Sequence, residues 1–135
     1  MTTRRAACSC GELEVVCEGE PVRVSTCHCL ECQRRTGTVF GTQAWFSQQQ
    51  IKSISGSSTQ FTRQSDAGRW VRFRFCPKCG STVYWEAERF PGLIAVAVGS
   101  FADPTFPAPT LSGWEQGRHH QWVEPLCNTV VQRSN

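Results

Sequence analysis

Seven of the nine cysteines in this 135-residue chain fall into three tight clusters, and no other feature restricts the possible folds as strongly. The clusters are Cys8-Ser9-Cys10, Cys27-His28-Cys29-Leu30-Glu31-Cys32 and Cys76-Pro77-Lys78-Cys79. Thiolates at this density repel one another unless a cation gathers them, and Zn²⁺ is the usual cation because it takes four tetrahedral sulfur or nitrogen ligands. Seven sulfurs divide into a closed set of four, which stabilises a fold, and a set of three, which leaves one coordination position open for chemistry.

The length and composition favour one globular domain. A chain of 135 residues with 19% charged side chains can bury a core of ordinary size. We therefore interpret residues 1–135 as a single zinc-binding domain, with a core over about 7–123 and a C-terminal tail over 124–135. Arg4 and Arg5 are not followed by an apolar stretch, so no signal peptide is predicted, and no segment reaches the roughly 18 apolar residues of a membrane span. The expected location is the cytoplasm, where disulfides are the less favoured explanation of clustered cysteines.

The charge balance gives no sign of a macromolecular partner. The formal net charge is +3, well short of the basic stripe that is typical of nucleic-acid binding. Zinc-bound thiolates carry negative charge and would bring the chain close to neutrality. We therefore expect no nucleic acid and no membrane as partner, and the oligomeric state stays open.

The apolar pattern has mostly a period of two, which predicts a mainly β chain with antiparallel strands. Predicted strands cover residues 13–17, 21–26, 38–46, 69–75, 81–86 and 93–98. Residues 50–54 and 59–63 flank the turn-forming run Ser55-Gly56-Ser57-Ser58 and are predicted to form a hairpin. Helix is expected only as short turns, at 30–35 and at 103–106, where Pro104 suits a first helical position.

The four-sulfur site is predicted from the first and third clusters. The two-residue gap between Cys76 and Cys79 lets both sulfurs face one ion. Pro77 pre-sets the turn between them, and the glycine that follows can take the positive φ that closes it. Cys8 and Cys10 are the natural complement. The hypothesis is a closed four-cysteine zinc site that joins the N-terminus to the middle of the chain.

The three-sulfur site is predicted from the middle cluster. Cys27, Cys29 and Cys32 lie so close in sequence that they can approach one ion only from a single side. His28 is expected to point away from the sulfurs, towards solvent or behind the ligands, with a ligand role as the alternative. Such a site suits the binding of a soft external thiolate better than the activation of water. The alternatives are three reduced thiols without an active zinc, and a redox switch that forms a reversible disulfide.

The order of these motifs resembles the glutathione-dependent formaldehyde-activating family. The resemblance rests on C-x-C, then C-H-C-x-x-C-Q-R-R-T-G, then C-P-K-C-G, and it extends over about residues 7–123. The segment 99–104, with Trp114 and Trp122, adds to it. The resemblance implies a β-tent fold, antiparallel sheets stapled by a four-cysteine zinc site. It also implies structural zinc on Cys8, Cys10, Cys76 and Cys79, and catalytic zinc on Cys27, Cys29 and Cys32.

The resemblance further implies an activity. The reaction is the condensation of formaldehyde with glutathione to S-hydroxymethylglutathione by a carbon–sulfur lyase, with a small-molecule thiol or aldehyde adduct as partner. Arg34 and Arg35 would then pair with glutathione carboxylates, or else offset the thiolate charge. Members of the family often carry a histidine where this chain has Ser112. The alternative function is a non-catalytic, zinc-stapled module that binds protein or nucleic acid.

Three further features complete the expectations. Cys17 continues the apolar face of its predicted strand and is interpreted as a buried core residue. Cys127 lies in the tail and is assigned no role. One or two of the five tryptophans are expected to line a pocket over the three-sulfur site.

Overall fold

The fold is mainly β, as the sequence predicts. The structure is a computed structural model that describes residues 1–125 and 129–131. Within these residues the chain forms eleven strands and one α-helix. The strands are β1 Thr3–Ala7, β2 Glu14–Glu18, β3 Arg23–Cys27, β4 Gly41–Ser47, β5 Ile51–Ser55, β6 Thr59–Gln64, β7 Trp70–Phe75, β8 Thr82–Ala87, β9 Leu93–Ala97, β10 Leu111–Gly113 and β11 Thr129–Val131. The helix α1 is Leu30–Thr36, and short 3₁₀ turns cover Gln48–Gln50, Val98–Phe101 and Glu115–Gly117.

The strands form two sheets. A three-stranded sheet has the order β1-β2-β5, and an eight-stranded sheet has the order β11-β10-β3-β4-β9-β8-β7-β6. Most neighbours are antiparallel, but β10 runs parallel to both β3 and β11. The C-terminal segment therefore extends the large sheet directly beside β3, the strand that ends in the middle cysteine cluster.

The larger core joins side chains from both sheets. Leu13, Val15 and Cys17 come from the small sheet and the turn before it, and Phe46 and Val96 come from the large sheet. Cys17 is fully buried, which confirms its interpretation as a core residue. Burial raises the pKa of the Cys17 thiol to about 11, so it stays neutral and packs as a small apolar group.

A second core covers the opposite face of the large sheet. Trp45, Phe73 and Trp85 lie in one row across the strands because Phe73 pairs with Trp85, and Trp85 and Trp45 both pair with Ala95. Arg23 pairs with Trp45, and Cys27 lies four residues further along the same strand. Since side chains alternate along a strand, Cys27 emerges on the face of this second core.

The predicted hairpin over residues 50–63 is wrong. β5 pairs with β2 in the small sheet, and β6 pairs with β7 in the large sheet, so the turn between them crosses from one sheet to the other. Ile51 packs against the larger core, whereas Phe61 pairs with Phe73. Gly56 has φ 90°, and a Cβ there would collide with the backbone of Glu12. The turn signal was correct, but the two strands pair into different sheets, and both are largely exposed.

The two helical predictions have different outcomes. The predicted turn at 30–35 is α1, whose first turn is capped by the Cys29 side chain and whose last residue is followed by Gly37 at φ 73°. The predicted turn at 103–106 is one hydrogen-bonded turn, with 3.1 Å between the Phe106 nitrogen and the Asp103 carbonyl oxygen. None of the helices in the described ranges is long and apolar enough to cross a membrane.

Candidate metal centres

The structure brings the first and third cysteine clusters together. The Sγ atoms of Cys8, Cys10, Cys76 and Cys79 all lie within 4.8 Å of one another. Cys10 Sγ is 3.6 Å from Cys8 Sγ and 3.6 Å from Cys76 Sγ. Four sulfurs at about 2.3 Å from a zinc ion would be roughly 3.8 Å apart, whereas a disulfide requires about 2.05 Å. The four thiols are unpaired and their spacing fits a closed zinc site.

The local backbone supports this arrangement of sulfurs. Gly80 has φ 80°, the conformation that the sequence predicted for the turn after Cys76. The Leu13 N–H donates to Cys8 Sγ at 3.2 Å, and the Lys78 N–H donates to Cys76 Sγ at 3.4 Å. Such donors stabilise sulfur in its negatively charged form, which is the form that binds a metal.

Direct contacts between the two cysteine loops are few and exposed. Lys78 Nζ lies 2.9 Å from Glu12 Oε1, and the hydroxyls of Ser9 and Ser81 are 3.1 Å apart. Exposed ion pairs contribute roughly 0–1 kcal/mol, far less than the roughly 10–16 kcal/mol of structural zinc in small peptides. A metal ion would therefore be the main link between the loops.

The middle cluster forms a separate group of three sulfurs, here called the trio. Cys27 ends β3, Cys29 caps α1 and Cys32 lies in the first turn of that helix, and their Sγ atoms lie within 4.8 Å of one another. Cys27 and Cys32 are buried, and Cys29 is half-buried. Among the described residues no fourth His, Cys, Asp or Glu joins this group. The donor set therefore fits one zinc ion with an open position.

The pKa values of Cys29 and Cys27 in the trio are shifted in opposite directions. Hydrogen bonds from Cys27 and Cys32 lower the pKa of the Cys29 thiol to about 2. The pKa of Cys27 is raised, chiefly because it hydrogen-bonds to Cys29 and Cys32 and is buried. These hydrogen bonds favour the thiolate form of Cys29, and binding of a dication would displace the protons held by the other two thiols.

Two pockets adjoin the trio, and Trp114 lines both. The Cys29 pocket has a volume of about 400 Å³ and contains charges of both signs, from Glu31, Arg34, Arg63 and Asp66. The Cys27 pocket has a volume of about 120 Å³, and its charged lining residues are Arg23 and Arg89. Trp114 takes a left-handed conformation, with φ 55°, at the wall that the two pockets share.

The arginines that follow the trio have different surroundings. Arg34 Nη1 lies 2.7 Å from Glu31 Oε1, and both side chains line the Cys29 pocket. The Arg35 guanidinium stacks 4.4 Å from the Trp85 ring and 5.3 Å from the Phe73 ring, on the second core. Arg34 is therefore placed to meet a ligand, whereas Arg35 covers the apolar face beside the trio.

His28 lies behind the trio, on the side away from the sulfurs. Its side chain is 0% exposed, so of the two predicted positions the one behind the ligands is confirmed and the solvent-facing one is wrong. The ring centroid is 5.4 Å from that of Phe40, and Nε2 lies 3.2 Å from Glu115 Oε2. Burial lowers the pKa of His28 and outweighs the opposing effect of Glu115. A buried neutral histidine is the physical result of alternation, because its neighbours Cys27 and Cys29 face the other way.

Sequence reasoning missed Glu115, which organises the surroundings of His28. Glu115 accepts hydrogen bonds from the Ser112 hydroxyl and, at 2.7 Å, from Arg118 Nε. Burial acts to raise the Glu115 pKa, but these two hydrogen bonds outweigh it and the pKa is lowered. The available signal was the three-residue spacing of Ser112 and Glu115, which is typical of capping interactions.

Gln33 joins the trio's helix to the C-terminal segment. Its Nε2 donates to the backbone oxygens of His28, at 2.9 Å, and Gly117, at 3.0 Å. Its Oε1 lies 2.9 Å from His119 Nε2. His119 therefore contacts Gln33 and does not belong to the group of metal-binding side chains in the trio. Cys127 lies outside the described residues.

Comparison with known proteins identifies the family and the fold of the chain. The family model described as glutathione-dependent formaldehyde-activating enzyme matches residues 3–117. No curated protein matches the chain. A crystal structure of a Rhodobacter sphaeroides protein is similar in fold, with a TM-score of 0.55 and 20% sequence identity over 74% of this chain and 91% of that chain.

Proposed function

The chain belongs to the glutathione-dependent formaldehyde-activating enzyme family, and from that premise we propose that it joins a thiol to a small aldehyde. The specific reaction is the addition of glutathione to formaldehyde, giving S-hydroxymethylglutathione, as a carbon–sulfur lyase of the cytoplasm. The observation that carries this proposal is the incomplete trio, which borders two pockets while a complete four-sulfur group lies elsewhere. One group is built to stabilise the fold, and the other leaves room for a ligand.

The metal contributes one chemical function. Zinc held by Cys27, Cys29 and Cys32 would keep an incoming thiol in its thiolate form at neutral pH. The trio is suited to this because its sulfurs come from one side and because only Cys29 is appreciably accessible.

The Cys29 pocket supports a zwitterionic thiol such as glutathione. Glutathione carries two carboxylates and one ammonium group, and the pocket offers Arg34 and Arg63 as cations and Asp66 as an anion. A guanidinium can hold a carboxylate through two parallel hydrogen bonds. Trp114 adds an aromatic surface to the lining of this pocket. These residues would bind and orient the thiol with its sulfur towards Cys29.

The reaction needs no oxidant or reductant. The thiolate sulfur attacks the carbonyl carbon, a C–S bond forms, and the π electron pair of the carbonyl moves to oxygen. That oxygen takes up a proton from water and becomes the hydroxyl of the adduct. The protein's contribution is to position the two reactants, which removes much of the entropic cost of a bimolecular step.

The proposal is tested by adduct formation. Zinc-loaded protein is mixed with glutathione and ¹³C-formaldehyde, and the hydroxymethyl signal is followed by exchange NMR against the spontaneous rate. We expect acceleration, loss of it in Cys29→Ser, and a raised KM for glutathione in Arg34→Met. The exposed Arg69 is outside both pockets, so Arg69→Met serves as the matched control and should behave as wild type. A rate equal to the spontaneous one would refute the activity and favour the non-catalytic binding module.

A further inference from the structure

The Cys27 pocket is a small cationic cavity next to the trio. Its lining includes Arg23 and Arg89 but neither Asp nor Glu. Its volume of about 120 Å³ is less than a third of the roughly 400 Å³ of the Cys29 pocket, so of the two pockets it suits the smaller reactant.

Arg23 is the strongest sign of a ligand in this pocket. Its guanidinium stacks 4.7 Å from the Phe90 ring and 5.5 Å from the Trp45 ring, and its buried Nε has no hydrogen-bond partner. Burial and the nearby Arg89 lower the pKa of Arg23, but a guanidinium stays charged at neutral pH. The positive charge and the unused donor both favour an anion with planar oxygens.

Other arginines do not share this setting. The Nε atoms of Arg35, Arg72 and Arg74 are also buried without a partner. None of these three side chains lines either pocket of the trio. Arg35 and Arg72 are stacked on tryptophan rings elsewhere on the sheet. Of these four arginines with a buried, unpartnered Nε, Arg23 is the one that lines a pocket containing a trio cysteine.

A second unpartnered group lies between Arg23 and Cys27. Arg23, Ser25 and Cys27 share one face of β3, and Gln43 is directly opposite Ser25 on β4. Gln43 is 5% exposed, and its Nε2 donates to Ser25 Oγ at 3.0 Å. Its Oε1 has no hydrogen-bond partner and its side chain lines the pocket. Along β3 the pocket therefore contains the Cys27 sulfur, then the unpartnered Gln43 Oε1, then the Arg23 guanidinium.

We propose that the Cys27 pocket binds the electrophile, and that besides formaldehyde it takes a small aldehyde carrying a carboxylate, of the glyoxylate type. The inference rests on the proposed function, because it assigns the thiol to the Cys29 pocket and the aldehyde to the Cys27 pocket. The carboxylate pairs with Arg23, and the aldehyde carbon lies on the side of the sulfurs. On addition the C–S bond forms, the carbonyl π pair moves to oxygen, and that oxygen takes a proton from water. The new hydroxyl donates to Gln43 Oε1, which has no donor in the free protein.

The binding test uses oxamate, a carboxylate that resembles glyoxylate but does not add thiols. Calorimetric titration of the zinc-loaded protein is carried out without thiol, so that the reading does not depend on catalysis. We expect oxamate to bind wild type and to bind Arg23→Met at least about tenfold more weakly. Arg72→Met is the matched control, because Arg72 also stacks on a tryptophan, at 4.5 Å from the Trp70 ring, and lies outside the pocket. Acetamide, which is neutral, should not compete.

The kinetic test compares glyoxylate with glycolaldehyde, a neutral aldehyde of similar size. Arg23→Met should raise the KM for glyoxylate about tenfold and leave the KM for glycolaldehyde unchanged. Equal oxamate binding by wild type and Arg23→Met, or no binding by wild type, would overturn the carboxylate site even if formaldehyde adducts form. Arg23-dependent oxamate binding without acceleration for any aldehyde would uphold the site and refute the proposed activity.

Discussion

At the scale of single residues, Cys76 and Cys29 have different expected roles: Cys76 stabilises the fold, and Cys29 belongs to the proposed reactive site. Cys76 is fully buried in the larger core, whereas Cys29 is half-buried at the start of a helix. We expect Cys76→Ser to lose one zinc and its cooperative thermal transition. The reason is that structural zinc, at roughly 10–16 kcal/mol in peptides, equals or exceeds the whole stability of about 5–15 kcal/mol of a typical domain. Cys29→Ser should lose the other zinc and still unfold cooperatively.

The measurement is zinc content per chain together with circular dichroism during heating. If neither variant shows a cooperative thermal transition, the trio is structural and the enzymatic proposal fails. Full zinc content in Cys76→Ser would show that the four-sulfur group does not hold the metal.

A second prediction at this scale concerns Glu115, whose carboxylate accepts from Ser112 and Arg118 beside the buried His28. Glu115→Gln keeps the shape and removes the charge, and charged hydrogen bonds contribute about 1.5–3 kcal/mol, so a loss of that order is expected at pH 7. The folded pKa of Glu115 lies below its ordinary value of 4.5. The stabilisation is therefore fully present above pH 4.5 and is lost as the pH falls through the folded pKa.

Urea unfolding of wild type and Glu115→Gln at pH 7 and near pH 4 checks this prediction. The comparison is made at each pH so that acid effects common to both proteins, including those on the cysteines, cancel. A stability difference that grows on acidification would contradict the assignment.

Residue chemistry was predictable from sequence where spacing fixes geometry, and not where tertiary packing does. Cys27, Cys29 and Cys32 have to meet because they are so close in the chain. Arg23 and Gln43 join the same neighbourhood only because β3 and β4 are paired in one register. No local pattern distinguishes Arg23 from the other arginines of the chain. A lone arginine within a strand indicates its partners only after the sheet is known.

At the scale of elements, the close approach of the C-terminal 3₁₀ turn to the trio's loop is the critical contact. A Cβ on Gly117 would collide with the backbone carbonyl oxygen of His28, and Gln33 hydrogen-bonds to both residues. Gly117→Ala should therefore push the turn away and destabilise the protein by about 1–3 kcal/mol, the usual cost of overpacking. It should also weaken thiol binding, because Gly117 lines the Cys29 pocket.

Gly99→Ala is the control for this variant. Gly99 also lies in a 3₁₀ turn, but a Cβ there meets no atom within 4 Å. Urea unfolding and the KM for glutathione should both be unchanged in Gly99→Ala. If Gly117→Ala has the wild-type free energy of unfolding and the wild-type KM for glutathione, the close approach of this turn to the trio's loop is not important for either property.

The elements themselves were largely predictable, and their pairing was not. The strand at residues 69–75 is β7 almost as expected, because alternation of Val71 and Phe73 with arginines is a strong local signal. The hairpin over 50–63 failed because its two strands pair with strands of different sheets, β5 with β2 and β6 with β7. Periodicity predicts that a strand is present but carries no information on which strand pairs with it. For the same reason the parallel pairing of β10 with β3 was not foreseen.

At the scale of the whole molecule, the two sulfur groups serve different parts of the architecture. The four-sulfur group links the loop after β1 to the loop between β7 and β8, and so ties the small sheet to the large one. The trio lies at the end of β3 and the start of α1, on the outer face of the large sheet. We therefore expect loss of metal from the first group to weaken the contact between the sheets, and loss of metal from the second to affect only one surface.

This difference predicts the order of events when zinc is removed from the intact protein. The trio supplies three ligands and an accessible open position, so a competing chelator can attack it directly, whereas the four-sulfur group is coordinatively closed. With increasing pyridylazoresorcinol we expect one zinc per chain to leave first. The protein should then no longer accelerate adduct formation, while its circular dichroism spectrum stays unchanged. The second zinc should leave only with the cooperative loss of β-sheet signal. Preloading with oxamate should slow the first release in wild type and have no effect in Arg23→Met, because the Cys27 pocket borders only the trio. Simultaneous release of both ions with unfolding would show that the two groups form one cooperative structural unit and that the trio is not an independent site.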